Sequence, residues 1–306
     1  MTPPDDFDPP VGTPETLAPG LQRIVAPNPS PMTYRGTNTY VVGQTNLAVI
    51  DPGPMSDSHL DAILSTCTDQ RRITHIFVTH SHLDHAPLAR PLSQATGAPV
   101  LAFGDATAGR SMVMSQLAQA GLNDGGEGID TDFFPDQTVQ DGQVIACGDW
   151  ALRVIHTPGH LGNHICLAWG DICFTADHVM GWASSLVSPP DGDLTDFMAS
   201  CARLAQEQWR VFYPGHGAPI TTPLDRLEWL ITHRQAREAA MLDALSAGPQ
   251  TADQIAQAVY SDTPAALLPA ATRNVLAHLI DLMGKSQAKP LGTLHAQTAF
   301  ERIEHG

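Results

Sequence analysis

The sequence predicts an α/β protein followed by a small, mainly helical unit, and three observations carry that expectation. Short runs rich in β-branched and aromatic residues alternate with segments of helical spacing from Leu21 to about Thr222. Four of those runs end in residues able to bind a cation, at His80, His160, Asp177 and His216. Beyond Thr222 the texture changes to sustained helical periodicity. The chain therefore divides into a loosely ordered leader, 1–20, an α/β domain, 21–222, and a C-terminal unit, 223–306.

At 306 residues the protein can bury a large core. No apolar run approaches membrane-spanning length, and the acidic, Pro-rich start lacks the basic and apolar segments of a signal peptide, so a cytoplasmic protein is expected. The net charge of -16 repels phosphate polymers at long range and favours solubility. Five cysteines, Cys67, Cys147, Cys166, Cys173 and Cys201, form no C-x-x-C pair and fit reduced, mostly buried thiols.

Taken in order, Leu21–Val25, Thr39–Val42 and Leu47–Ile50 read as strands, the third ending in the turn Asp51-Pro52-Gly53. Ser56–Thr66 has helical spacing, Ile73–Val78 reads as a buried strand, Pro87–Gln94 as a short helix and Pro99–Ala102 as a strand. A helix over Ser111–Gly121 precedes an acidic, solvated loop with Asp124, Glu127, Asp130, Asp132 and Asp136. Gln143–Cys147 and Ala151–Ile155 form a hairpin around Gly148-Asp149, and Ile172–Thr175 and Trp209–Tyr213 are further strands. A long helix starts after Thr222 with Pro223 in its first turn, its apolar stripe running through Leu224, Leu227, Ile231, Leu242 and Leu245. Helices over Thr251–Tyr260 and Pro264–Met283 follow, then a short hairpin within Gly292–Ile303.

The densest chemistry lies in Thr79-His80-Ser81-His82-Leu83-Asp84-His85, where three imidazoles and a carboxylate follow a strand directly. Neutral imidazole and carboxylate are the ligands that borderline divalent cations such as Zn2+ prefer, and packing gives no reason for that density. His160 follows a turn crowded with Gly and Pro, and Asp177 and His216 sit at two more strand tips. Strand ends on one rim can converge on one site. His164 reads as a substrate contact, as a residue fixing a ligand, or equally as a hydrogen-bonded structural histidine, and His178 as structural. Tyr34, Arg35, Trp182 and Ser184 lie in loops that could border the site.

His80-Ser81-His82-Leu83-Asp84-His85 with His160, Asp177 and His216 resembles the metallo-β-lactamase superfamily, which implies an αβ/βα sandwich. Gly36-Thr37-Asn38-Thr39-Tyr40, His156-Thr157-Pro158-Gly159-His160 and Tyr213-Pro214-Gly215-His216-Gly217, with the C-terminal unit, narrow the resemblance to the β-lactamase-like protein 2 subgroup and its winged-helix-like domain. The resemblance implies a metal site of His80, His82 and His160, a second of Asp84, His85 and His216, and Asp177 between them. Two cations, most readily Zn2+, about 3.5–4 Å apart would activate a water, with Asp84 steering it or moving a proton.

The resemblance implies two function classes. One is hydrolysis of a small-molecule ester, thioester or lactone; the other is cleavage of single-stranded RNA, with β-lactam hydrolysis ranked below both. Charge favours the first, since the C-terminal unit is nearly neutral and its would-be recognition helix offers mainly Arg273 and His278. That unit is expected to pack, to act as a lid or to join two copies as a homodimer.

Overall fold

Alternation along the strands gives each sheet two apolar faces, and burying both faces of both sheets requires four layers. The computed structural model describes residues 7–122, 128–261 and 263–304. Among them, β1 Glu15–Ala18, β2 Leu21–Val25, β3 Asn38–Val42, β4 Asn46–Ile50, β5 Arg72–Phe77, β6 Val100–Ala102 and β7 Gln137–Thr138 form one sheet in that order. It is antiparallel up to β4 and parallel beyond it. A second sheet has the order β12-β11-β10-β9-β8, from β8 Val144–Ala146, β9 Ala151–His156, β10 Ile165–Trp169, β11 Ile172–Ala176 and β12 Val211–Pro214.

Tyr40, Val42, Ala48, Ile50 and Phe77 of the first sheet meet Val154, Leu167, Phe174 and Tyr213 of the second in one core. Their neighbours Val41, Val49 and Ile76 point the opposite way, onto helices α1 Asp57–Leu64 and α2 Ala89–Thr96. On the outer face of the second sheet, Ile155, Cys173 and Phe212 pack with α4 Leu194–Leu204 and the start of α5 Pro223–Leu245, while α3 Met112–Gln119 leads towards the C-terminal unit. The result is the αβ/βα sandwich.

The C-terminal unit holds α6 Ala252–Val259, α7 Leu268–Gly284 and a small sheet in the order β13-β15-β14, from β13 Gln250–Thr251, β14 Ala288–Pro290 and β15 Ala299–Arg302. Thr251 and Gln254 form a capping box at the start of α6. Helix α5 spans both cores: Leu227 and Leu230 pack against α4, whereas Met241 and Leu245 belong to the C-terminal core. Met114 and Leu122 of the α/β domain also enter that C-terminal core.

Several local expectations are corrected. Glu15–Ala18, placed in the loose leader, pairs with β2, and Phe7 is buried beneath the Arg23 guanidinium. Helix α2 starts at Ala89 rather than Pro87. Strand β10 and helix α4 escaped the pattern reading, because β10 follows the Gly-rich His160 turn and α4 has mixed polarity. Leu224 is exposed, because Pro223, Arg226, Leu227 and Leu230 are the residues that α5 buries here. The Pro264–Met283 stretch is a 3-10 turn, Ala265–Leu267, followed by α7, with Pro269 in the first helical turn. The terminal hairpin begins at Ala288, upstream of Gly292. In the acidic loop, Asp136 is exposed as expected and also accepts from Arg90 (2.7 Å) and the Val100 N–H (2.8 Å), which pins the loop. Asp124, Glu127 and Asp262 lie outside the described residues.

Candidate metal centre

Strand tips deliver the polar side chains to one rim. β5 runs into His80, His82, Asp84 and His85; β9 leads into the turn bearing His160; β11 ends at Asp177 and β12 at His216. Asp51 and Ala176, at the ends of β4 and β11, have φ of 51° and 42°. Non-glycine residues in that region mark backbone held by its surroundings.

The seven predicted ligands assemble into two groups, His80, His82, His160 and Asp177, and Asp84, His85, Asp177 and His216. In the first, His82 Nδ1 lies 3.0 Å from both His80 Nε2 and His160 Nε2, and Asp177 Oδ2 lies 3.7 Å from His160 Nε2. In the second, His216 Nε2 is 3.1 Å from Asp84 Oδ2, 3.3 Å from Asp177 Oδ1 and 3.4 Å from His85 Nε2. Ligand bonds of about 2.0–2.2 Å around a tetrahedral cation place donor atoms roughly 3.4 Å apart, so both groups have the right size. Asp177 turns one carboxylate oxygen to each group, the geometry of a bridge.

The outward ring nitrogens explain why the inward ones can bind metal. His85 Nδ1 donates to Asp51 Oδ2 (2.9 Å), and His160 Nδ1 donates to the Leu186 carbonyl (2.7 Å). His216 Nδ1 donates to the Gly36 carbonyl (3.2 Å). The Thr79 hydroxyl donates to Asp51 Oδ2 (2.8 Å) and so accepts from His80 Nδ1 (2.9 Å). A proton held on the outer nitrogen makes Nε2 the atom that can offer a lone pair to a cation at the centre.

Electrostatics differ between the groups. Burial, reinforced by mutual repulsion among the rings, keeps His80 well below the usual histidine range and brings His82 down to about 3. Those rings are neutral, as ligands must be. Burial also opposes charge on His85 and His216, but Asp84 and Asp177 outweigh it, raising His85 well above its ordinary value and His216 to about 9. The same imidazoles overcome burial to hold the Asp84 and Asp177 carboxyls well down. The second group thus draws positive charge into a buried place, which the donor set would satisfy with a cation. Gly215 completes the fit: a Cβ there would come within 2.4 Å of Asp177 Oδ1.

The other candidates separate. His164 is fully buried, its Nδ1 2.9 Å from the Thr157 hydroxyl and its ring 5.1 Å from that of His80, so it packs beside the ligand rings. His178 is buried against Phe197 and Cys201 and is structural. Tyr34 stacks between Phe7 and Trp182, and Arg35 turns towards the Phe7 carbonyl (3.2 Å), away from the metal rim. Trp182 packs against Gly217 and, with Ser184, lines a chamber next to the centre. Sequence reading missed Asp51 as the group that orders His85 and Thr79, although Asp-Pro-Gly at a strand tip was a signal. It also missed how Asn38 and Tyr40 act: both donate to the Pro214 carbonyl, anchoring the His216 turn.

A cleft of ≈ 380 Å³ opens onto His82 and His160. One wall is Met32, Ile129 and Leu186; the other is Leu267, Ala270 and Arg273 of the C-terminal unit. Helix α7 is buried on both sides, Ala277 against the α/β domain and Val275 and Leu279 in its own core. Of the two residues expected on a recognition face, His278 is fully buried, whereas Arg273 lines the cleft.

Residues 32–228 match the metallo-beta-lactamase superfamily, and residues 251–291 match the beta-lactamase associated winged helix domain. The chain belongs to the metallo-β-lactamase superfamily. It is by that membership a metal-dependent hydrolase, and its His/Asp cluster suits a dinuclear site. It is similar to a beta-lactamase-like protein 2 homolog of Drosophila melanogaster, 30% identical over 275 residues that cover 87% of this chain and 88% of the relative. It is also similar to an atrochrysone carboxyl ACP thioesterase of Aspergillus fumigatus, 28% identical, covering 82% and 76%. Among solved superfamily structures, a beta-lactamase domain protein from Burkholderia ambifaria shares the fold at a TM-score of 0.79, with 21% identity and coverage of 98% and 96%. A metallo-beta-lactamase family protein from Thermus thermophilus does so at 0.74, with 24% identity and coverage of 94% and 100%. Among the described residues no helix is long and apolar enough to cross a membrane.

Proposed function

We propose that the protein hydrolyses a small acyl ester or thioester at a dinuclear centre that takes zinc, held by His80, His82 and His160 on one side and Asp84, His85 and His216 on the other, with Asp177 between. The observation that carries this reading is the placement of that centre at the end of an apolar cleft closed by the C-terminal unit. Imidazole-rich, compact donor sets favour Zn2+ over harder cations. When bound, such cations polarise a carbonyl oxygen and lower the pKa of water towards neutrality.

The chain's own residues do the rest. Asp84 and His82 are the two ligand residues that are only half-buried, so both border the substrate side. Asp84 is placed to take a proton from the attacking water and pass it to the leaving group. Met32, Ile129 and Leu186 exclude bulk water and orient the acyl group across His82 and His160. Several relatives are named ACP thioesterases, which supports a thioester. The buried α7 and the charge of -16 weigh against a nucleic-acid substrate.

Metal-loaded protein should cleave p-nitrophenyl esters or acyl thioesters and lose that activity to a chelator. It should leave single-stranded RNA intact across a salt series. Salt-sensitive RNA cleavage with inert carbonyl substrates would reverse the assignment.

A further inference from the structure

Beside the metal cleft lies a second chamber of ≈ 800 Å³, in the seam between the α/β domain and the C-terminal unit. The two spaces share Pro31, Met32, Leu186, Leu267 and Ala270, all of them apolar, so they adjoin along one apolar border beside His82 and His160. Met180, Trp182, Trp229, Tyr260 and Ala271 make much of the outer wall. Its polar members are largely engaged. Asn274 Oδ1 accepts from the Val187 N–H and from Arg234, both at 3.0 Å. Arg237 donates to the Val259 carbonyl (2.9 Å) and lies over the Tyr260 ring. His233 stacks on Trp229, its ring centroid 4.7 Å away. The carboxylate in the inner lining, Asp191, is paired with Arg110 at 2.5 Å. Trp182 Nε1 is buried without a hydrogen-bond partner, so beyond that one N–H the lining leaves little hydrogen-bonding demand and suits a mainly apolar ligand, in a volume typical of whole small-molecule sites.

Resting on the acyl-hydrolase reading, we propose that this seam chamber holds the acyl chain of the substrate. The C-terminal unit then sets chain-length preference through Leu267 and Ala270 at the neck. The substrate class is an ester or thioester of a medium-length aliphatic or aromatic acid, with its carbonyl at the metal centre and its apolar end towards Trp229 and Tyr260. The winged-helix unit thus acts as a specificity wall.

The test is a chain-length series, acetyl to dodecanoyl p-nitrophenyl esters and matching N-acetylcysteamine thioesters, on metal-loaded wild type, Ala270→Phe and Leu267→Ala. Dodecanoate binding to the metal-free proteins, followed by tryptophan fluorescence, gives a readout independent of turnover. Expected are a kcat/KM at least tenfold higher for decanoyl than acetyl in wild type and a tenfold or greater loss of that ratio in Ala270→Phe. Leu267→Ala should shift the optimum to longer or bulkier chains, and dodecanoate binding should weaken at least tenfold in Ala270→Phe. Hydrolysis indifferent to chain length, with the ratio unmoved in both variants, would overturn the chamber and leave the hydrolase reading standing. Dodecanoate binding that Ala270→Phe abolishes, without cleavage of any ester or thioester, would support the chamber and sink the hydrolase reading. Should Ala270→Phe fail to fold, the wild-type series and Leu267→Ala decide the matter alone.

Discussion

Replacing Asp51 by Asn removes one charge without changing shape, and the geometry says why this should matter. Asp51 Oδ1 accepts from the Thr79 N–H (2.8 Å), and Oδ2 accepts from both the Thr79 hydroxyl (2.8 Å) and His85 Nδ1 (2.9 Å). An amide has one acceptor oxygen and one donor NH2. If the oxygen keeps the Oδ2 place, the NH2 meets the Thr79 N–H; if it flips, the NH2 meets His85 Nδ1–H. The flipped form favours the His85 tautomer with its proton on Nε2, pointing at Asp177 Oδ1 where a lone pair is required. Loss of such a supporting partner weakens metal binding about 10–100-fold, or about 1.4–2.7 kcal/mol. Zinc affinity should be measured by competition with a chromophoric chelator, with circular dichroism as the check on folding. A folded Asp51→Asn protein with wild-type zinc affinity would refute the role assigned to Asp51 and to the His85 lone pair.

Other outcomes follow from neighbouring residues. Asp84→Ala should leave the melting profile close to wild type yet cut ester or thioester turnover about 10²–10⁴-fold, in steady-state assays at saturating zinc. Gly215→Ala should displace Asp177 or His85, whose atoms lie 2.4 and 2.8 Å from the new methyl, and lower activity about 100-fold while retaining the fold by circular dichroism. His59 donates Nε2–H to the Thr39 hydroxyl, and burial depresses its pKa to about 4. The unfolded chain takes up that proton below about pH 6.5, so His59 costs stability as pH falls from about 6.5 to 4, at up to about 1.4 kcal/mol per pH unit. His59→Gln should flatten that part of the slope in urea unfolding of the metal-free protein between about pH 7 and pH 5; an unchanged slope would refute it.

Strand tips were readable because the end of an apolar run is a local property. His80, Asp84, His160, Asp177 and His216 stand where β-branched residues stop, and imidazole or carboxylate has no packing reason to recur there. Helix α5 announced itself through Thr222, Pro223 and its apolar stripe, and α6 through helical spacing over Thr251–Tyr260. Strand β10 and helix α4 did not, because β10 is short and sits among turn residues that read as one loop with the His160 turn, and α4 has mixed polarity.

The residues by themselves pointed to the candidate ligands, the alternation of elements and the change of texture after Thr222. Only the tertiary structure decided that Asp51, the Leu186 carbonyl and the Gly36 carbonyl hold protons away from the centre, and that α7 packs Ala277 onto the α/β domain and buries His278. Those facts join positions up to 180 residues apart, such as His216 and Gly36. Pairing at that range depends on which sheet edges and helix faces meet, and a one-dimensional pattern carries no measure of it.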